Sequence, residues 1–149
     1  MATKPSLTLV RRIKAPPVKV FADLTKPEQL VRWWNPGAGP VLSAEADVRP
    51  GGRFHIVFRT QDGGEHFSSG EYLEVVLGER LVFTWERESQ RALGSIVTIV
   101  LRPITGGTEL TLTHAQFPNE AERDIHRDGW SGAFDKLEAF LRSSEESRR

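Results

Sequence analysis

The chain ends in one long amphipathic segment, and that segment is the only one able to cover a sheet. His126, Trp130, Ala133, Leu137 and Phe140/Leu141 recur every three or four residues and define one helical face. Glu122, Arg123, Asp124, Arg127, Asp128, Lys136 and Glu138 mostly occupy the other. Asn119, with Glu122 three residues on, is a capping-box start. Gly129 lies inside this helix at a cost of roughly 1 kcal/mol against Ala. Its presence points to close backbone approach, or to space that something else fills.

Ahead of this helix runs a series of strand-like segments separated by turn signals. Arg49-Pro50-Gly51-Gly52 is a turn, and Arg53 to Thr60 then alternates, with Phe54, Ile56 and Phe58 on one face. Asp62-Gly63-Gly64 reads as a hairpin turn into a strand from Phe67 to Val76. Leu77-Gly78-Glu79-Arg80 turns into Leu81 to Trp85, which groups Leu81, Phe83 and Trp85. Ser95 to Arg102 groups Val97, Ile99 and Leu101. After the tight turn Thr105-Gly106-Gly107, the segment Glu109 to His114 groups Leu110, Leu112 and His114. Spacing this regular predicts an antiparallel meander.

The front of the chain differs. Leu7 to Ile13 reads as a strand, which Ala15-Pro16-Pro17 ends. Val20, Phe21 and Leu24 give a short helical stripe. Thr25-Lys26-Pro27-Glu28 has the capping-box pattern, with Thr25 as the cap. The second short helix carries Leu30, Trp33 and Trp34 and stops at Asn35-Pro36-Gly37. The order is strand, two short helices, about six strands, long helix. An antiparallel sheet with one apolar face must cover it. The expectation is therefore an α+β helix-grip fold: a curved antiparallel sheet wrapped around a long C-terminal helix, with two short helices closing one end. Residues 1–142 form one domain, and 143–149 are a charged, frayed tail.

Composition narrows the function. Twenty basic and twenty acidic residues leave no net charge, which argues against binding a nucleic-acid backbone. No run approaches the ~20 apolar residues of a membrane span. Cysteine is absent, so there is no disulfide or thiolate chemistry, in keeping with a cytoplasmic protein. The four histidines, at 55, 66, 114 and 126, show no ligand spacing, so no metal and no cofactor are expected.

Six segments then carry a resemblance: Arg32-Trp33-Trp34-x-Pro36, Arg49-Pro50-Gly51-Gly52-x-Phe54, Gly70-Glu71-Tyr72-x-Glu74-Val75, Glu79 to Trp85, Thr108 to His114, and His126-Arg127-x-Gly129-Trp130. In this order they resemble the single-domain homologues of the activator of the heat-shock-protein-90 ATPase, in the START-like, or SRPBCC, superfamily. The likeness runs from about Leu7 to Leu141. Leu77-Gly78 departs from the Pro-Pro of many relatives and alters one turn. The resemblance implies a START/Bet v-like fold whose internal cavity commonly takes an apolar ligand. Chaperone activation is not implied, since it also involves a separate N-terminal domain for which this chain has no room.

The expected cavity lining is Trp33, Phe54, Phe58, Tyr72, Phe83, Trp85, His114, His126 and Trp130. Aromatic side chains supply large apolar area with few rotors, and an aromatic stripe is equally a plain core. Of the adjacent Trp33 and Trp34, one is expected to face in and the other to lie at the rim. His114 points inward by alternation and reads either as a satisfied core histidine or as an acid, base or hydrogen-bond anchor. His126, four residues before Trp130, reads as half-exposed or as a second polar anchor. Ser131 lies mid-helix with no histidine after it, so it is not a triad nucleophile. The favoured reading is a binding protein for a hydrophobic small molecule, with no catalytic residue assigned. A cavity enzyme would use His114 for proton transfer, with Glu74 as the one inward carboxylate by parity with Tyr72. A protein-interaction module is the third reading. Self-association as a homodimer stays open.

Overall fold

Period-two patterning and glycine turns build the sheet. The structure, a computed structural model, describes residues 4–34, 40–60, 63–87 and 95–146. Within them run β1 (Leu7–Ile13), α1 (Pro17–Thr25), α2 (Pro27–Trp33), β2 (Val41–Ala46), β3 (Arg53–Arg59), β4 (Glu65–Val76), β5 (Arg80–Arg87), β6 (Ser95–Ile104), β7 (Gly107–Ala115) and α3 (Glu120–Glu146). The strands form one seven-stranded sheet in the order β1-β7-β6-β5-β4-β3-β2, each neighbouring pair antiparallel. Gly106 takes φ 83° between β6 and β7, a conformation that favours glycine. The tight turn there fixes the register Val97↔His114, Ile99↔Leu112 and Leu101↔Leu110.

That register puts Leu110, Leu112 and His114 on the face beneath α3, all fully buried. On α3 the covering residues are Trp130, Ala133, Phe134, Leu137 and Leu141. Burying each large apolar side chain contributes roughly 1.5–3 kcal/mol relative to leaving it exposed. Phe134 is a fully buried member of the stripe, whereas Phe140 packs only partly against the core. Asn119 caps α3 as expected: its Oδ1 accepts the Glu122 N–H at 2.9 Å. An inward arginine pins the helix to the edge strand. Arg11 on β1 donates to Asp135 at 2.8 Å, to Glu138 at 2.6 Å and to Ser131 Oγ at 3.0 Å. Ser131 is thus a tether and not a nucleophile.

Several expectations are corrected. Thr25 does not cap the second helix. It ends α1, where its hydroxyl donates to Phe21 O at 2.8 Å, and Lys26 is the cap of α2 with no side-chain hydrogen bond. A hydroxyl on the last turn of one helix meets the i−4 carbonyl before it can reach the next helix. Neither Trp33 nor Trp34 lies at a rim; their relative exposures are 1% and 8%. The Trp33 N–H donates to Asp23 O at 2.8 Å, which locks α2 against α1. Helix α3 continues to Glu146, into the segment read as a tail. The expected stop at Asn35-Pro36-Gly37 lies outside the described residues.

Candidate functional site

His114 sits at the end of β7 with both ring nitrogens engaged. The Trp130 indole N–H lies 3.1 Å from Nδ1. Indole nitrogen only donates, so Nδ1 accepts and the ring proton is on Nε2, which donates to Ser95 Oγ at 2.9 Å. Burial, and then the charge of nearby His126, push this imidazole down to about 2. It is therefore neutral near pH 7 and shut off from solvent. Of the two sequence readings of His114, the geometry matches the satisfied core histidine, since both ring nitrogens are occupied. It is a hydrogen-bonded post joining β6, β7 and α3.

Around that post the rings are continuous. Trp130 contacts Trp85 with centroids 5.1 Å apart and Trp34 at 5.6 Å. Trp85 meets Trp34 at 5.8 Å, Phe54 at 6.3 Å and His114 at 5.6 Å. Phe54 carries the network on to Phe83 at 5.2 Å and Tyr72 at 5.7 Å. Trp33 joins through Trp34 at 5.4 Å. His126 closes the set against Trp85 at 6.1 Å and His114 at 5.2 Å. Eight of the nine expected lining residues thus belong to one aromatic network. Phe58 stands apart, with His66 at 6.1 Å as its ring neighbour.

Cover is uneven across this network. Trp33, Phe54, Tyr72, Phe83, His114 and Trp130 are buried, while Trp85 and His126 are half-buried. Phe58 and His66, farther along the same concave face, are also half-buried. His126 Nδ1 lies 2.8 Å from Glu122 O. A carbonyl only accepts, so the His126 ring carries its proton on Nδ1. Burial, and then the charge of Asp47, push the Tyr72 phenol up to about 12, so it stays protonated.

Glu74 is corrected as well. Strand register shifts between Tyr72 and Glu74, and such a bulge breaks parity. Glu74 is exposed and pairs with Arg80 at 3.1 Å. No inward carboxylate therefore faces His114 from β4. Among the described residues no group of three or more His, Cys, Asp or Glu could hold a metal ion. None of their helices is long and apolar enough to cross a membrane.

Two members of the site were missed. Ser95 shares the face of Val97, and counting back from the Gly106 turn would have set it beside His114. Phe117 packs on His114 at 4.2 Å because Gln116 takes φ 69° and folds the chain back. A non-glycine residue in the left-handed region has no sequence signature.

The curved antiparallel sheet gripping one long helix, with two short helices at one end, defines a START-like helix-grip domain. The family model described as "Activator of Hsp90 ATPase homolog 1-like protein" matches residues 14–142. The chain belongs to that family. A solved protein from Nitrosomonas europaea is 27% identical, with 98% of this chain and 99% of that one covered and a TM-score of 0.83. A second, from Chromobacterium violaceum, is 29% identical over 91% and 95%, with a TM-score of 0.82. The structure titled an AHSA1 protein from Silicibacter pomeroyi is 25% identical over 94% and 99%, with a TM-score of 0.81. No curated protein matches the chain.

Proposed function

We propose that this protein binds a hydrophobic small molecule on the concave face of its sheet, against Trp85. The observation that carries this reading is the incomplete cover of that ring. Trp85 touches Trp34, Phe54, Trp130, His114 and His126, yet is itself only half-buried. A large flat apolar surface at the edge of a rigid aromatic floor gains by being covered. His126 beside it supplies a polar group to orient the guest, as binding sites commonly do. The occupied, neutral His114 favours binding over proton-transfer chemistry. The absence of cysteine supports a cytoplasmic place for the protein.

Titration with the apolar fluorophore 1-anilinonaphthalene-8-sulfonate tests the reading. Saturable binding is expected, and Trp85→Ala weakens it by about tenfold, equivalent to ~1.4 kcal/mol of lost stacking and burial. Trp85 packs against five rings, so the conservative variant Trp85→Leu is titrated alongside, and both are checked for a cooperative thermal transition. Binding that never saturates, or that Trp85→Ala leaves unchanged, would sink the proposal.

A further inference from the structure

A recess lies on the face of the sheet away from α3. Its volume is about 270 Å³, and Glu45, Arg53, Phe54, His55, Phe67 and Ser69 line it. Strand register places Glu45, His55, Ser69 and Glu86 in one row across β2, β3, β4 and β5. Their parity is opposite to that of the buried Phe54 and Ile56, so the row faces away from α3.

Three features make this recess more than a gap between surface side chains. Ser69, only 6% exposed, lines the recess from β4. His55 and Phe67 form an aromatic wall with centroids 5.0 Å apart. Across from the wall, Arg53 is held in an ion pair by Glu86, whose side chain is 14% exposed. Glu45 lines the rim with no ion pair among the described residues. With Arg53 neutralised by Glu86, the Glu45 carboxylate leaves the recess with a negative balance.

We propose that this recess binds a primary alkylammonium group. Serine oxygen and carboxylate oxygen accept its N–H donors, and the aromatic wall covers its methylene stem. A carboxylate ligand of equal size would meet Glu45 as a like charge. The volume falls just below the ~300–1,000 Å³ of ordinary ligand pockets. It suits one aliphatic chain with a charged head, either a free amine or a lysine side chain.

The test is a ¹⁵N–¹H titration of the whole protein with n-butylammonium chloride, the peptide acetyl-Gly-Lys-Gly-amide, and sodium butyrate. The ammonium probes are expected to give saturable shifts centred on the amides of Glu45, His55 and Ser69, and butyrate none there. Glu45→Gln, an exposed and fold-neutral change, weakens the ammonium probes by about tenfold, the worth of one charge-assisted hydrogen bond. A response to butylammonium alone assigns a free amine, and a response to the peptide assigns a partner lysine. Both support the site. The proposal is overturned if neither probe saturates, if butyrate binds equally well, or if Glu45→Gln changes nothing. The readout lies on the face away from Trp85, so its outcome is independent of the concave-face reading.

Discussion

Folding stability falls steeply as pH drops below neutrality, and His114 carries the fall. In the folded chain its imidazole is pushed down to about 2, whereas in an unfolded chain it titrates near ~6.5. Between those values the unfolded state binds a proton that the folded state refuses. Stability from this group is therefore fully present above pH ~6.5 and is lost progressively as pH falls toward 2. The slope is about 1.4 kcal/mol per pH unit for one proton. The cause is structural: protonating Nδ1 would set an N–H against the Trp130 N–H inside a ring of aromatics. His114→Gln isolates the effect, because an amide oxygen accepts from Trp130 and an amide N–H donates to Ser95 without titrating. Urea unfolding at several pH values between ~7 and ~5 should show the slope in the parent and a flatter profile in His114→Gln. Equal slopes in the two proteins would remove His114 from the explanation.

The second large effect is expected at Gly70. This residue lies on β4 opposite Phe54. A Cβ placed there would stand 1.9 Å from Thr84 O and 2.8 Å from Phe54 Cε1. The nearer obstacle is backbone, so no rotamer change relieves it. Gly70→Ala should cost about 3 kcal/mol or more, at or above the top of the usual range for overpacking. For a domain of this size that lowers Tm by roughly 6–12 °C. The strain also falls on β5 next to Trp85, so 1-anilinonaphthalene-8-sulfonate binding should weaken together with stability. Calorimetry gives the first quantity and fluorescence titration the second. A Gly70→Ala protein that melts with the parent would show that β4 and β5 do not approach as described.

Much of this was legible in the sequence, for physical reasons. Strands packed on one face announce themselves by alternation, which is why β3, β5, β6 and β7 were located and Leu110, Leu112 and His114 assigned inward. The pairing of His114 with Trp130 followed from crossing strand parity with helical spacing. What failed was whatever broke a period. β2 carries no alternation signal because its residues are exposed or half-buried with no fully buried face, as befits an edge strand. Parity with Tyr72 assigns Glu74 to the wrong face because one bulge resets the alternation after Tyr72. Both Trp33 and Trp34 are buried because α2 is packed on more than one side, against α1, β2 and α3. Adjacent positions on a helix cannot predict that. Neither can a pattern of residues report that His114 is fully engaged; that depends on Ser95 and Trp130 reaching it from two other elements.

The four tryptophans make the central proposal directly measurable. Each indole N–H gives its own ¹⁵N–¹H signal, and each ring has a distinct place. Trp85 is half-buried on the concave face, Trp130 is buried against it and bonded to His114, and Trp33 is buried and tied to Asp23 O. Adding 1-anilinonaphthalene-8-sulfonate to the labelled protein should shift the Trp85 indole most, the Trp130 indole less and the Trp33 indole least, all along one saturating curve. An unmoved Trp85 signal under saturating probe would contradict binding on the concave face.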